Sequence, residues 1–423
     1  MLRHAVAMIK AIVGGTLIDG TGAAPRRNAV VLIEEDRIQG VGVTGDMIPP
    51  PGAEVYDATG KTVMPGVIDT HDHLASHGYD LLTRLGLQQA ISYTNLLTAR
   101  AIRHTLEAGI TTVRDAAGLD RGFKQAVEEG LIPGPRLLVT LDFISPTGGI
   151  SDRTTISNHY IHPNPALPDP VADGPTAVRA KVREMIRAGA DTIKTASTGG
   201  VSSPRHGPKD AEYSRVELEA LVDEAHAQGK RVMCHALGGP GLELAVNCGV
   251  DSIEHGGYLD EQPETLKRMA AQGTYYVPTY SVYVHHRRSP FEYMRVRANE
   301  MFQHHLKSLT VALDAGVRVA MGTDAGGWAH GQNMTELQLL VEAGMKPMDS
   351  IVASTGEAAR CIGLEKVVGT IEAGKYADIL VVDGDPLENI SILQEKERLV
   401  LVMKGGEAYV NRLPTLLNKD MRK

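Results

Sequence analysis

The middle of the chain alternates amphipathic stretches with short apolar runs. Hydrophobic positions in each amphipathic stretch recur at helical spacing, and a glycine separates that stretch from the apolar run that follows. A glycine suits this place because it readily takes the left-handed conformation that closes many helices. The glycines concerned are Gly109, Gly189, Gly229, Gly249, Gly273 and Gly316. The pattern therefore predicts helices that alternate with strands.

The apolar runs of this central region predict eight strands. We expect them at residues 63–73, 110–115, 136–141, 191–196, 231–236, 251–255, 274–280 and 318–324. In an α/β protein, eight strands that alternate with helices over roughly 300 residues predict a (β/α)8 TIM barrel, whose active site lies at the carboxyl ends of the strands. An open doubly wound sheet is the alternative. It is disfavoured because no glycine-rich phosphate loop follows the first strand.

Both ends of the chain carry a different pattern, in which short β-type runs are separated by glycine, aspartate and proline turns. The runs lie at residues 9–13, 30–34 and 37–41, and again at 369–375, 377–382 and 399–406. Neither set can bury a core alone, so we expect the two termini to form one composite β-sandwich domain. The expected domains are residues 1–62 and 363–423 for the sandwich and 63–362 for the barrel.

The composition is that of an ordinary globular protein with a large core. The 423 residues are 43% hydrophobic and 22% charged, and the formal net charge is −8. Because the chain has neither a basic cluster nor an arginine-rich helix, we expect no nucleic-acid partner and no anionic-membrane partner. The expected partner is a small molecule.

The cysteines and the first residues bear on the cellular compartment. Cys234, Cys248 and Cys361 lie in separate apolar runs without C-x-x-C spacing, as expected of reduced thiols in a cytosolic protein. Residues 1–10 hold too few apolar residues for a signal peptide, and no apolar run approaches about 18 residues. We therefore expect a cytoplasmic protein without a membrane span, and we expect it to form a homo-oligomer.

The first strand of the predicted barrel ends in two histidines separated by one residue. Side chains alternate faces along a strand, so His71 and His73 project from the same side about 7 Å apart, while Asp72 points away. Two imidazoles on one face can share a metal ion. For this motif on its own, a pair of surface histidines at a strand end is the alternative.

Other strands of the predicted barrel also end in polar residues. Besides the two histidines, these residues are Lys194, His235, His255 and Asp324. The carboxyl ends of barrel strands converge, so the six side chains would meet at one mouth. Taken singly, a histidine is more often a hydrogen-bonded core residue, and an aspartate in a Gly-Thr-Asp sequence is more often a turn residue. Taken together, the six predict a metal site.

Lys194 is the unusual member of this set, because an ammonium group has no lone pair for a metal. If burial lowers its pKa, the neutral amine can add carbon dioxide and become a carbamate that bridges two divalent ions. A structural lysine that donates to carbonyls at a strand end is the alternative. Histidine and carboxylate ligands favour zinc, with manganese or cobalt next. Two ions would activate a bridging water at neutral pH and polarise the scissile carbonyl.

These segments resemble the amidohydrolase superfamily. The resemblance is carried by residues 65–73, 193–194, 234–236, 253–256 and 321–324, and it extends to 374–382. By this resemblance, one metal ion is bound by His71, His73 and Asp324. The other is bound by His235 and His255, with N6-carboxylated Lys194 as the bridge. The resemblance also implies that Asp324 takes a proton from the attacking water and gives it to the leaving nitrogen.

Within the superfamily, residues 147–149, 197–201 and 323–326 resemble the prolidase-like dipeptidases and the imidazolonepropionase-related enzymes, a branch that also includes an ochratoxin-hydrolysing amidase. Prolidase-like members usually carry a histidine and a tyrosine at two positions where this chain has Ile150 and Leu237. Those positions are thought to contact the substrate. The departures therefore disfavour strict Xaa-Pro specificity and favour a more apolar substrate.

The expected reaction is hydrolysis of the amide bond of a dipeptide or an N-acyl amino acid. The alternative keeps the metal site but acts on a non-peptide amide, carbamate or lactone, such as an ochratoxin-like N-acyl-phenylalanine. A deaminase of the same superfamily is disfavoured, because those enzymes usually carry a glutamate near the fifth-strand histidine, and none follows His235 here. A metal-free scaffold is disfavoured because it would be expected to lose ligands, and all six are present.

Substrate specificity is expected to reside in the loops 145–173 and 197–213. Arg205, with His206 and Lys209, could pair with a substrate carboxylate, and His330 lies just past the eighth predicted strand. We take Arg205 and His330 as candidate substrate-binding residues. Their alternative is that they are solvated loop residues.

Overall fold

A computed structural model describes residues 9–78, 89–152, 164, 166–203, 205–326 and 330–417. The strands of this part of the chain are β1 (Ile9–Leu17), β2 (Arg26–Glu34), β3 (Arg37–Val43), β4 (Glu54–Asp57), β5 (Thr62–Pro65), β6 (Val67–Asp72), β7 (Ile110–Asp115), β8 (Arg136–Val139), β9 (Phe143–Ile144), β10 (Ile193–Ala196), β11 (Val232–Ala236), β12 (Ser252–His255), β13 (Tyr275–Val277), β14 (Ile379–Val382), β15 (Leu399–Lys404), β16 (Glu407–Asn411) and β17 (Thr415–Leu417). The α-helices are α1 (Ile91–Glu107), α2 (Arg121–Glu128), α3 (Gly174–Ala188), α4 (Arg215–Ala227), α5 (Gly239–Asn247), α6 (Pro263–Gln272), α7 (Tyr280–His286), α8 (Glu292–Asp314), α9 (Thr335–Glu342), α10 (Pro347–Ala353) and α11 (Gly356–Cys361).

Both ends of the chain meet in one sheet of nine described strands. Its main order is β16-β15-β14-β5-β1-β2-β3, and β4 pairs with β1 on one edge and with β17 on the other. The link between the termini is the antiparallel pair of β5 and β14, in which Pro65 lies opposite Ile379 and Thr62 opposite Val382. The expected pairing of the two terminal sets is thus confirmed.

The terminal sheet folds around a core of its own. One edge of β1 pairs with β2, while the other edge pairs with β4 at residues 10–13 and with β5 at residues 16–17. Side chains of β1, β2 and β15 meet in a buried cluster that includes Ile12, Val31 and Leu401. This core makes the terminal sheet a packed unit rather than a surface ribbon.

The central region holds two parallel sheets with helices in the connections. One has the order β13-β12-β11-β10-β9, and the other has the order β6-β7-β8. Residues 319–325 lie between the two sheets, because Val319 forms a parallel bridge to Tyr276 and Ala325 forms a parallel bridge to Asp72. Strands and helices of this region share one buried apolar cluster. The region is therefore mixed α/β with parallel sheets.

The glycines at the predicted helix ends all take positive φ angles. The values are 89° at Gly109, 108° at Gly189, 68° at Gly229, 84° at Gly249, 75° at Gly273 and 77° at Gly316. At Gly189 and Gly273 this conformation closes α3 and α6 directly. A side chain at these positions would be strained, so the glycines fix where each helix stops and the next strand begins.

The predicted strand 63–73 is in fact two strands in two sheets. The break is at Gly66, whose backbone N–H donates to the Asp378 carbonyl at 2.9 Å, while the N–H of Val67 donates to the Gly109 carbonyl. A Cβ at Gly66 would collide with the side chain of Thr111. The chain therefore passes from the terminal sheet into the parallel sheet at a residue where only glycine fits.

Two further strand predictions need correction. The predicted strand 136–141 ends at Val139, because Leu141 has a φ of 69°, outside the extended region, and the short strand β9 follows it. The predicted strand 318–324 is not a continuous strand, because this segment pairs with its neighbours only through single bridges at Val319 and Ala325. Between them, Asp324 has a φ of 55°, outside the extended region. Both departures put a turn where the side chains of the candidate site are presented.

None of the described helices is both long enough and apolar enough to cross a membrane.

Candidate metal centre

The parallel strands bring the six predicted ligands into the lining of one cavity. Their register aligns Ala196 with His235 and Ala236 with His255, so neighbouring strands end at the same level. The cavity has a volume of about 440 Å³, and its lining includes His71, His73, Lys194, His235, His255 and Asp324. Strand order and register thus place side chains together that are more than 250 positions apart in the sequence.

His71, His73 and Asp324 form a compact group of potential ligand atoms. Their candidate atoms all lie within 4.8 Å of one another. Oδ1 of Asp324 is 3.1 Å from Nε2 of His73 and 3.6 Å from Nε2 of His71. Burial raises the pKa of Asp324, but the His73 hydrogen bond and the nearby positive charges outweigh it and lower the pKa to about 2. The carboxylate is therefore ionised at neutral pH.

His235, His255 and Lys194 form the adjacent half of the site. The ring centroids of His235 and His255 are 4.5 Å apart, and His255 lies 4.9 Å from His71. Burial lowers the pKa of His235 to about 4 and the pKa of His255 well below its ordinary value. Both rings are neutral at pH 7 and can offer a lone pair.

Lys194 is buried among these ligands without a hydrogen bond. Its side chain is 3% exposed, and its Nζ has no hydrogen-bond partner among the described residues. Burial lowers its pKa to about 8. A buried ammonium without any acceptor is costly, so the site suits Lys194 in another chemical form or with a further group bound beside it.

Hydrogen bonds fix the orientation of the histidine rings. His73 Nδ1 donates to the Ala117 carbonyl at 3.1 Å, and His235 Nε2 donates to the Gly199 carbonyl at 3.1 Å. His255 Nδ1 lies 2.7 Å from the Thr279 hydroxyl, which itself donates to the Pro278 carbonyl, so His255 is the donor in this pair. The lone pairs that remain are on Nε2 of His255 and on Nδ1 of His235, while Nε2 of His73 donates to Asp324.

Glu254 and Arg114 form a buried ion pair that contacts His71, and sequence analysis did not predict it. His71 Nδ1 lies 2.7 Å from Oε2 of Glu254, and Oε1 of Glu254 lies 3.0 Å from Nη2 of Arg114. Arg114 also donates through Nε to the Thr70 carbonyl at 2.6 Å. Both charged side chains are fully buried. A glutamate and an arginine inside apolar strands were the available signal, since such residues are almost never fully buried unless they are paired.

Asp69 and Asp72, from the same strand as His71, are buried and share a hydrogen-bond network. Asp69 accepts from the Thr323 hydroxyl at 2.6 Å and from the Thr323 N–H at 3.1 Å, and Asn333 donates to Asp69 at 2.7 Å and to Asp72 at 2.8 Å. Burial raises the pKa of each carboxyl to about 7. These bonds hold the turn that gives Asp324 its positive φ.

The two candidate substrate-binding residues lie outside the described lining of the cavity. His330 is buried, with Nε2 on the Ser76 carbonyl at 3.0 Å and Nδ1 at 3.7 Å from Asp72. Arg205 is exposed and donates to the Asp152 carbonyl at 3.2 Å. Residues 153–163 of the first specificity loop lie outside the described part of the chain. A role for either residue in substrate binding stays a prediction.

The described lining also holds large apolar side chains, which we call the apolar wall. Phe123, Phe143, Ile150, Leu167 and Val201 contribute to this wall. The N–H of Ile150 donates to Oε1 of Glu212 at 2.8 Å, which fixes the loop that presents its side chain. The wall therefore suits an apolar group of a ligand better than a charged one.

Tyr283 completes the wall beside the histidines. Its ring makes an edge contact with His255, with the centroids 5.7 Å apart. Burial and then the charge of Asp324 raise the pKa of Tyr283 well above its ordinary value. Its hydroxyl is therefore protonated across the physiological range.

Comparisons with known proteins agree with this geometry. Residues 62–409 match the model of the amidohydrolase family. Ochratoxinase from Aspergillus niger is 33% identical over 425 residues, covering 95% of this chain and 87% of that protein. Imidazolonepropionase from Fusobacterium nucleatum is 24% identical over 396 residues, covering 84% of this chain and 85% of that protein. A crystal structure of a Xaa-Pro dipeptidase with bound methionine in the active site superimposes with a TM-score of 0.85 at 32% identity, covering 95% of this chain and all of that chain.

Proposed function

Because the chain belongs to the amidohydrolase family and is a hydrolase, we propose that it is a metal-dependent enzyme that cleaves the amide bond of a dipeptide or an N-acyl amino acid. The observation that carries this proposal is the convergence of four histidines, a lysine and an aspartate in one cavity. Imidazole nitrogens beside an ionised carboxylate are the donor chemistry of a divalent metal site.

The proposed ligands fall into two groups that share Lys194. His71, His73 and Asp324 would hold one ion, and His235 and His255 would hold the other. The compactness of the first group and the neutral rings of the second support this division. Zinc is the preferred ion, since no thiolate belongs to the donor set. Bound divalent ions supply a water nucleophile at neutral pH and polarise the scissile carbonyl.

Carboxylation of Lys194 is part of the proposal. Addition of carbon dioxide to the neutral amine forms a carbamate, releases one proton, and gives this position an anionic oxygen donor. The buried Nζ without a hydrogen-bond partner supports it, because the carbamate removes an unpaired ammonium from the site. The lowered pKa of Lys194 favours the amine form that reacts.

Asp324 is the proposed proton carrier. Its carboxylate is ionised at neutral pH, and it lies next to His71 and His73 in the cavity. In this role it accepts the proton of the attacking water and then delivers it to the leaving nitrogen. The bonds from Asp69 to Thr323 hold the backbone that aims this carboxylate.

We also propose that the two parallel sheets and residues 319–325 together form an eight-stranded (β/α)8 barrel within residues 63–362, in which β8 and β9 are two parts of the third strand, with residues 1–62 and 363–423 as a β-sandwich. The bridges from Val319 to Tyr276 and from Ala325 to Asp72 support this closure. Barrel closure explains why the ligands converge, since active sites of this fold lie at the carboxyl ends of the strands.

The cavity wall favours a substrate with an apolar or aromatic side chain. Phe143, Ile150 and Val201 contribute apolar surface, and Lys194 is the only lysine or arginine of the described lining. The similarity to ochratoxinase favours the same direction. A non-peptide amide, carbamate or lactone, such as an ochratoxin-like N-acyl-phenylalanine, is the second candidate substrate, because an apolar wall accepts it equally well.

Metal analysis combined with a substrate library tests the proposal. We expect close to two divalent ions per chain, hydrolysis of one or more dipeptides or N-acyl amino acids, and loss of that activity with a chelator. Readdition of zinc, manganese or cobalt should restore it and rank the ions. Undiminished amidase activity in metal-free protein would contradict the metal centre, whereas activity confined to lactones or carbamates would select the second candidate.

A further inference from the structure

Tyr283 lines the cavity with a hydroxyl that no described residue uses. It lies on α7, and its side chain is 3% exposed. Tyr283 is the only tyrosine in the described lining, and within the described part of the chain its hydroxyl has no hydrogen-bond partner. A phenol that lines a cavity and donates to no described residue can donate to a ligand instead.

Neighbouring hydroxyl groups differ in this respect. The Tyr280 hydroxyl, on the same helix, donates to the His305 carbonyl at 3.0 Å. Thr98 lines the cavity too, but its hydroxyl donates to the Thr94 carbonyl at 3.0 Å. Of these three groups, only the phenol of Tyr283 remains available as a hydrogen-bond donor to a ligand.

The ring of Tyr283 is held rigidly. It belongs to a buried apolar cluster that includes Val201, Leu237 and Met294. It also makes edge contacts with His255 and His305, at centroid distances of 5.7 Å and 5.1 Å. A donor fixed by packing is preorganised, which is the requirement for stabilising charge that appears only in a transition state.

We propose that the Tyr283 hydroxyl donates a hydrogen bond to the oxyanion that forms when the scissile carbonyl becomes tetrahedral. This inference rests on the proposed amide hydrolysis. Water oxygen bonds to the carbonyl carbon, its proton passes to Asp324, and the π electron pair moves onto the carbonyl oxygen. When that pair returns, the C–N bond breaks and Asp324 delivers the proton to nitrogen. Tyr283 keeps its own proton throughout.

The location of Tyr283 supports this role over one in ground-state binding. The carbonyl under attack must lie close to Asp324 and to the neighbouring histidines. Tyr283 makes an edge contact with one of these histidines, His255, and the negative charge of Asp324 helps to raise the pKa of Tyr283. The apolar wall that would hold a substrate side chain is formed by other residues, including Phe123 and Leu167. A donor next to the reacting atoms stabilises the oxyanion more than the neutral carbonyl.

The test compares Tyr283→Phe with Tyr280→Phe in the metal-loaded full-length enzyme. The substrate is the dipeptide or N-acyl amino acid that the wild type cleaves fastest, and the inhibitor is its phosphonamidate analogue, which carries a tetrahedral centre. Tyr283→Phe keeps the ring and its packing, so metal content and melting temperature should match the wild type. We expect kcat to fall by about 100- to 1,000-fold and KM to stay within about threefold. Inhibition by the analogue should weaken by a factor similar to the fall in kcat/KM.

The matched control separates catalysis from packing. Tyr280→Phe removes a hydroxyl from the same helix that is bonded to backbone, so it should lower the melting temperature and leave kcat unchanged. Normal kcat in Tyr283→Phe, a change in KM alone, loss of metal, or an equal loss of kcat in Tyr280→Phe would each overturn the inference. A wild-type enzyme that cleaves no amide would instead contradict the proposed function, and the same pair of variants would then be compared on a lactone or carbamate.

Discussion

Asp324 joins two roles in a single carboxylate, as a candidate ligand and as a candidate proton carrier. Asparagine has nearly the same shape and can still approach an ion through its amide oxygen, but it cannot carry a proton. We expect Asp324→Asn to lower kcat by roughly 10² to 10⁴ with little change in KM, because general acid–base catalysis contributes about that much. Steady-state kinetics on an amide substrate, with metal content measured alongside, checks this. Near-normal kcat with metals bound would assign the proton transfer to another group.

Lys194 allows a test by chemical rescue. We expect Lys194→Ala to abolish activity, because the proposed carbamate and its charge would be lost. A short carboxylic acid in the buffer should partly restore activity, since it can enter the space of the missing side chain and supply a carboxylate. Lys124→Ala is the control. Lys124 forms an ion pair with Asp191, with Nζ and Oδ1 2.8 Å apart, and it does not belong to the described lining of the cavity. The rescue hypothesis fails if the acid stimulates both variants equally.

At the scale of single residues, the sequence predicted the donors better than their supports. His71, His73 and the other predicted ligands follow or end apolar runs, and strand periodicity shows which side chains share a face. The Glu254 to His71 contact depends on strands that are 183 positions apart, and the Asp69 to Thr323 bond spans 254 positions. Such bonds depend on the register between distant strands, which local patterning does not encode.

At the scale of elements, the turn that begins α7 connects several features of the site. Thr279 has a φ of 56° and contacts His255 through its hydroxyl. Glu336 of α9 accepts from the backbone N–H groups of Tyr280 and Ser281, each at 2.7 Å. Glu336 thus caps the helix that carries Tyr283. Sequence analysis placed a strand over residues 274–280 and missed this cap, because the capping residue comes from a distant helix rather than from the helix start.

Glu336 gives a pH-dependent prediction for this element. Burial raises its pKa to about 8, so the folded state holds this proton more tightly than the unfolded state. Its contribution to the free energy of unfolding therefore falls as pH rises from about 5 to 8. We expect Glu336→Gln, which resembles the protonated form, to gain stability relative to the wild type across that window, by at most about 1.4 kcal/mol per pH unit. Urea denaturation at several pH values measures the difference, and Glu342→Gln, at the exposed end of α9, should show no such trend.

Element boundaries followed the sequence where a glycine or a uniform run defined them. The strand predicted at 110–115 is β7 residue for residue, and the glycines expected at helix ends have positive φ. The predicted boundaries were wrong where one apolar run contributes strands to two different sheets. Residues 63–68 carry no polar side chain that would mark a boundary, and the crossing from one sheet to another at Gly66 is seen only in its contacts with distant residues.

At the scale of the whole molecule, the terminal sheet has a core separate from the one that surrounds the site. Leu401 of β15 is fully buried in that core. We expect Leu401→Ala to lower the free energy of unfolding by about 2 to 5 kcal/mol through loss of buried surface and the cavity it leaves. The kcat per folded molecule should not change, because Leu401 does not line the cavity. Urea denaturation and kinetics at low temperature check both expectations, with Leu131→Ala, which is 74% exposed, as the control. A large loss of kcat in folded Leu401→Ala would show that the terminal sheet acts on the site.

The pairing of β5 with β14 has a consequence for synthesis on the ribosome. β5 leaves the ribosome roughly 300 residues before its partner, which at about 5 to 20 residues per second is a delay on the order of 15 to 60 s. By the end of that interval every proposed ligand from His71 to Asp324 has been made, while one edge of β5 still lacks its neighbour. The nascent chain must therefore keep an apolar strand edge from pairing with other chains until β14 has been made. A chaperone bound to residues 62–65 would protect this edge during the delay.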